Sequence, residues 1–399
     1  MTRTPPALVA AALACSSAAA LARAQWTVTL MHPPGAAQSA ILGFGSGQPT
    51  GYIQIGSATR AALWQELGPS VIDLDPGLGA PSLASGAGGG QQVGATANAA
   101  SLWLGSAQTW INLAPTSAYA SSAAATDGVH QVGWTTTAAD EPRHAAIWSG
   151  TSQSWIDLNP DGSLFSIASA VDGDEQGGMS FIDGVYRASL WHGSAHSWIN
   201  LNPPGAHHSS VAGIDAGQQV GAVTGSNFYQ HAALWRGSAG TFIDLHPPAP
   251  ELSTSGSSAN AVHNGMQAGV VAVQGFNHAS FWVSSPTSWV DLHQFTTPGV
   301  YQTTVATSIW SDAIHIYVGG YGLTPPDPQT QAQQSVALLW TRPACCTADF
   351  DCSDTVNTQD IFEYLTAWFA GEPRADLDGD GLSVLDLFAF LEAWFGGCP

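Results

Sequence analysis

Ala233-Leu234-Trp235, followed by Phe242-Ile243-Asp244-Leu245-His246-Pro247-Pro248, is one copy of a unit that recurs through most of the chain. Its first half returns as Ala62-Leu63-Trp64, Ser101-Leu102-Trp103, Ala146-Ile147-Trp148, Ser189-Leu190-Trp191, Ser280-Phe281-Trp282 and Leu338-Leu339-Trp340, with successive Trp spacings of 39, 45, 43, 44, 47 and 58. Seven residues after each of the first six Trp comes a large apolar residue (Val71, Trp110, Trp155, Trp198, Phe242, Trp289), and two further on an Asp or Asn. Between the Trp motifs lie a run of small residues and a Gln-Val-Gly landmark, as at Gln91 to Gly94 and Gln218 to Gly221. Each unit thus reads as four short apolar runs punctuated by Gly and Pro, with a Gly-Ser-Ala turn joining the last two as a hairpin. Four strands per about 45 residues is the period of a propeller blade.

A solenoid has a similar period, and the termini decide between the two. The unit starting at Leu338-Leu339-Trp340 has no second half. Val28-Thr29-Leu30-Met31-His32-Pro33-Pro34 aligns with the second half at Phe242 to Pro248. The N-terminal segment therefore completes the last unit and closes a ring, whereas a solenoid needs polar caps instead. Seven first halves predict an all-β, seven-bladed β-propeller over residues 25–342.

The units resemble the extracellular HAF-type repeats, on His231-Ala232-Ala233-Leu234-Trp235, His278-Ala279-Ser280-Phe281-Trp282 and the Gln-Val-Gly landmark. The resemblance implies an extracellular repeat protein and carries no assigned chemistry. The hairpin turn is also similar to the Asp-box of sialidase-like propellers, but the Asp is missing in Gly105-Ser106-Ala107 and Gly193-Ser194-Ala195, which argues against a sialidase.

Composition bounds the function. The 399 residues carry 8 Lys+Arg against 29 Asp+Glu, a net charge of −21, and every basic residue is Arg. Nucleic-acid binding through phosphate neutralisation is excluded, as is a polybasic membrane patch. Arg3, the apolar run from Ala7 to Leu21 and Ala22-Arg23-Ala24 read as a signal peptide over residues 1–24, which predicts a secreted or cell-surface protein. No later stretch is long and apolar enough for a transmembrane segment.

Two features of the blades invite chemistry. Four residues before the Trp stands Arg60, His144, Arg187, His231 or His278. These either line a mouth that binds an anion or sugar hydroxyls, or bond backbone within their own blade. The Trp rows either stack on sugars or fill the core between blades. His207-His208 reads as a loop, and Asp172, Asp174 and Glu175 as an exposed acidic turn. No nucleophile elbow, phosphate loop or zinc motif occurs. A glycosidase would need two carboxylates about 5–10 Å apart in a cleft, and the blade carboxylates recur with the unit.

Residues 343–399 differ sharply, with 11 Asp+Glu and one Arg. Asp360-Ile361-Phe362-Glu363-Tyr364-Leu365-Thr366-Ala367-Trp368-Phe369 is repeated as Asp386-Leu387-Phe388-Ala389-Phe390-Leu391-Glu392-Ala393-Trp394-Phe395, each an amphipathic helix ended by Gly. An acidic loop precedes each helix. In the first, Asp349, Asp351, Ser353 and Asp360 fall at positions 1, 3, 5 and 12 of a twelve-residue calcium loop, with the Thr355 carbonyl at position 7. The second offers Asp376, Asp378, Asp380, the Leu382 carbonyl and Asp386, and is one residue short.

This tandem resembles a dockerin, of the form that ends exported planctomycete-type proteins in Gly-Cys. The resemblance implies a small α-helical, calcium-folded module that docks on a cohesin-like receptor or cell-surface component. Asp354 stands where Gly usually makes the sharp turn of such a loop. Of the four cysteines here, Cys346 and Cys398 flank the module and would clasp its ends, closing a loop of about 50 residues at roughly 4 kcal/mol. Cys345 then pairs with Cys352; exchanging Cys345 and Cys346 is the alternative. The architecture reads as a non-catalytic exported binding or scaffold protein, its propeller engaging an unknown protein or glycan. The competing reading is a lectin-like propeller or a carbohydrate-active enzyme, a hydrolase or lyase on polysaccharide.

Overall fold

The computed structural model describes residues 26–226, 228–249, 253–312, 314–353, 355–378 and 381–398. The signal peptide expected over residues 1–24 lies outside the described residues.

Seven four-stranded antiparallel sheets form the blades of a propeller. In the fifth blade the strands are His208–Asp215, Gln218–Thr224, Gln230–Trp235 and Ile243–Asp244, from the central channel outwards. The last blade takes its outer strand from the N-terminus. Thr27–Leu30 pairs antiparallel with Ser335–Pro343, Val28 opposite Trp340. Met31 then donates its N–H to the Ala337 carbonyl at 3.0 Å, as Leu245 does to Ala232 at 2.9 Å. The alignment of the two sequence segments is thus realised residue for residue.

Three repeated devices explain the sequence landmarks. The repeat Trp of each third strand is fully buried in all seven blades and packs against the preceding sheet, as Trp103 does on Leu63 and Leu74. The Trp rows therefore fill the core between blades. The Gly of Gln-Val-Gly faces a β-bulge in the inner strand, which brings a carbonyl over it. A Cβ on Gly94 would lie 1.9 Å from the Leu83 oxygen, and the same clash occurs at Gly51, Gly133, Gly178, Gly221, Gly269 and Gly320. The buried Gln two residues earlier staples two turns. Gln92 accepts from the Gly105 N–H at 2.8 Å and donates to the Gly90 carbonyl at 3.2 Å, and Gln131, Gln176, Gln219 and Gln267 repeat this. The acidic turn at 172–175 also links blades: Asp172 accepts from the Ala216 N–H and Glu175 from Gln219.

A contact that the sequence reading missed joins every blade to the next. A buried Ser or Thr at the start of each inner strand accepts the N–H of an Ala in the preceding blade's third strand. The seven bonds run from Ala61 to Ser82, Ala100 to Ser121, Ala145 to Ser166, Ala188 to Ser209, Ala232 to Ser257, Ala279 to Thr304 and Ala337 to Ser39, all 2.8–3.0 Å. In six of the seven the signal was present as a Ser or Thr 21 or 25 residues after the Ala, hidden among many Ser, and the seventh joins the two ends of the ring.

Two helices, α1 (Thr358–Ala370) and α2 (Val384–Gly396), make the C-terminal unit. It packs on the propeller face that carries the first-to-second and third-to-fourth strand turns of the late blades. Arg236 reaches from the fifth blade to Glu372, which is buried and also accepts from Arg374 at 2.8 Å. Arg374 lies over the Phe350 ring and Arg342 donates to the Cys352 carbonyl. Cys346 is bonded to Cys398 and Cys345 to Cys352. No described helix is long and apolar enough to cross a membrane.

Candidate metal centre

The two loop–helix units are related by a two-fold that the sequence duplication dictates. Both helices open with a capping box, Asn357 with Asp360 and Ser383 with Asp386. Asp360 accepts from the N–H of Asp351 and Asn357; Asp386 accepts from the N–H of Leu377 and Ser383. Each helix ties the other's start: the Trp368 indole donates to the Ser383 carbonyl at 3.0 Å and Trp394 to the Asn357 carbonyl at 2.8 Å. Tyr364 and Phe390 stack face to face at 4.1 Å across the axis.

This frame gathers the acidic residues into two matching groups. Carboxylate oxygens of Asp349, Asp351 and Asp360 lie within 4.8 Å of one another, as do those of Asp376, Asp378 and Asp386. Positions 1, 3 and 12 of loop one therefore converge. Ser353 and Thr355 are turned to each other instead, their hydroxyls 3.0 Å apart, and the Thr355 carbonyl accepts from Asn357 and Ser353. In loop two the Leu382 side chain joins the module's core, which leaves its carbonyl as the oxygen it offers. Asp380, Asp354 and Gly379 lie outside the described residues. Burial, and then the neighbouring Asp351 charge, push the Asp360 carboxyl above its ordinary range. The backbone N–H of Leu377 and Ser383 hold Asp386 below it. Three converging oxygens of like charge are a donor set that a hard cation would satisfy.

The basic residues of the blades make a second recurrent arrangement on the opposite propeller face. Arg60 bonds Asp73 at 2.7 Å, His144 bonds Asp157 at 2.9 Å, and His231 and His278 bond Asp244 and Asp291 at 2.8 Å. The partner is a carboxylate of the same blade's outer strand, where the intra-blade reading had backbone. His246 stacks on His231 at 4.2 Å and His293 on His278 at 4.1 Å, each meeting the Ser257 or Thr304 hydroxyl of the next blade. These pairs stand in four separate blades, and at Arg187 of the fourth blade the outer strand carries Asn200 instead of an Asp, which is a structural device within a blade rather than a single mouth.

No family model matches the chain, and no curated protein matches it by sequence. Among solved structures it is similar to a puromycin hydrolase, solved as a point mutant complexed with PGG, at 12% identity and a TM-score of 0.53, covering 78% of this chain and 55% of that one. A second puromycin hydrolase structure aligns at 11% identity and a TM-score of 0.51 over the same shares. The chain thus spans about half the length of these structures, and at such identity the likeness is one of fold, the β-propeller.

Proposed function

We propose that the protein is an exported, non-catalytic binding protein whose propeller presents an interaction surface and whose C-terminal module is a calcium-folded, dockerin-like tail. The observation that carries this reading is the duplicated loop–helix unit with two matching carboxylate triads. The two disulfides support an oxidising, extracellular setting. Phe362 and Phe369 on α1, and their duplicates Phe388 and Phe395 on α2, are all well exposed, as a docking face for a cohesin-like receptor or cell-surface component requires. The HAF-like character of the blades fits the same setting.

Calorimetry and thermal unfolding of the full chain test the calcium reading. Calcium at about 100 times its Kd should stabilise the module by about 2.7 kcal/mol. Asp349→Ala should weaken binding more than Asp376→Ala, because loop two is one residue short. Identical unfolding in calcium and in EDTA, with no heat of binding, would overturn it.

A further inference from the structure

Aromatic side chains gather on the propeller face opposite the C-terminal module, across the fourth and fifth blades. Phe181 and Tyr186 flank the second-to-third strand turn of the fourth blade, with ring centroids 4.8 Å apart. Tyr186 meets His208 edge-on at 5.6 Å and donates its backbone N–H to His208 Nδ1, which leaves the ring proton on Nε2. The adjacent His207 lies 4.6 Å from Phe228. Phe228 and Tyr229 are 73% and 55% exposed.

This row is local to the two blades and does not recur with the unit. The fourth-blade turn is tight, whereas the fifth blade's connection from Gly225 to Tyr229 is longer, and Phe228 within it has φ of +61°. A bulky residue in the left-handed region is strained, and such strain gathers where a side chain is presented for use. Beside the row lies a cleft of about 350 Å³, walled by Pro203, Pro204, Tyr229 and Phe242 and containing the His231–Asp244 pair. Asp244 already accepts from His231 and from the His246 N–H. It offers hydrogen-bond acceptors without an unanswered charge.

We propose that this aromatic row and its cleft bind a neutral polysaccharide chain. Pyranose C–H faces stack on exposed rings, and hydroxyls find the acceptors and donors of the cleft. A net charge of −21 repels anionic polymers and anionic lipid surfaces. A cation would find Asp244 already engaged. An extended peptide adding a strand needs a free sheet edge, and this face shows strand turns.

The proposal deepens the reading of the propeller as a binding surface, and its test is separable from the calcium reading. Calorimetry on the full chain would use cellohexaose, xylohexaose and mannohexaose, with decaproline as the peptide probe. Binding of at least one hexasaccharide is expected, weakened about tenfold by Tyr186→Ala or Phe228→Ala. Phe228→Ala should leave the melting temperature unchanged, because that ring is exposed, and Tyr186→Trp, which keeps a ring among Phe181 and His208, should retain binding. Binding should persist in EDTA, since the acidic loops are on the other face. Loss of sugar binding in EDTA would assign it to the tail and overturn the row. So would failure of all three sugars, alanine variants that bind like the parent, or decaproline binding alone.

Discussion

Gly94 has no side chain because the inner-strand bulge places the Leu83 carbonyl where its Cβ would stand. The obstacle is backbone on a paired strand and has no room to yield. Gly94→Ala should therefore cost about 3 kcal/mol or more, read as a lowered denaturant midpoint. Two half-buried histidines give a residue-scale pH effect. Burial first, then the charge of the stacked His231 or His278, hold His246 and His293 below the ordinary imidazole value. On unfolding they return to about 6.5, so the unfolded chain binds more protons below that pH. Their contribution is complete above about 6.5 and is lost as pH falls through the window down to their lowered folded values. The double variant His246→Asn, His293→Asn should flatten the fall in melting temperature between about pH 7 and 5, because Asn159 and Asn202 already make the same bond to the next blade's Ser. Asp244 acts in a separate, more acid window. Burial raises its carboxyl, but the bonds from His231 and the His246 N–H more than offset this, so its contribution is lost only below the ordinary carboxylate range.

At the scale of elements, the strand Thr27–Leu30 does more than fill an edge. With it come buried Trp26 and Met31, the acceptor for the Trp64 indole at 2.7 Å, and His32, which bonds Ser39 of the first blade. Deleting residues 26–34 removes two large buried side chains worth about 1.5–3 kcal/mol each and opens the edge of the last blade. The melting temperature should drop by about 10 °C. Unchanged melting would show that the ring is held without its N-terminal closure. This strand was legible in the sequence because a circularly permuted unit leaves one half at each end. The inter-blade Ser bond was not, since a Ser has the same letter whether buried against a neighbouring sheet or exposed in a turn.

At the scale of the molecule, the tail is seated on the propeller rather than strung from it. Buried Glu372 receives Arg236 from the fifth blade and Arg374 from its own unit. Arg236→Ala leaves that carboxylate half-answered in a buried seam, and should weaken the seating by about 3 kcal/mol. Hydrogen exchange at residues 372–375 should then accelerate; unchanged exchange would show that the seam is held by its apolar contacts alone. Seating the tail on one face leaves the other, with its aromatic row, open to ligand.

The repeat period, its seven copies and the split unit at the two ends determined the propeller and its closure, because each blade's pattern is local and is stated seven times. The duplicated loop–helix unit likewise fixed which carboxylates meet, since a two-fold places equal sequence in equal surroundings. Only the tertiary structure decided what crosses between units. The seam at Glu372 and the row from Phe181 to Tyr229 join residues whose sequence separations follow no shared pattern, unlike the blade His and Arg pairs, which all keep the repeat's spacing of 13 residues. Such contacts depend on the twist of each sheet and the packing of one against the next, which no run of residues specifies by itself.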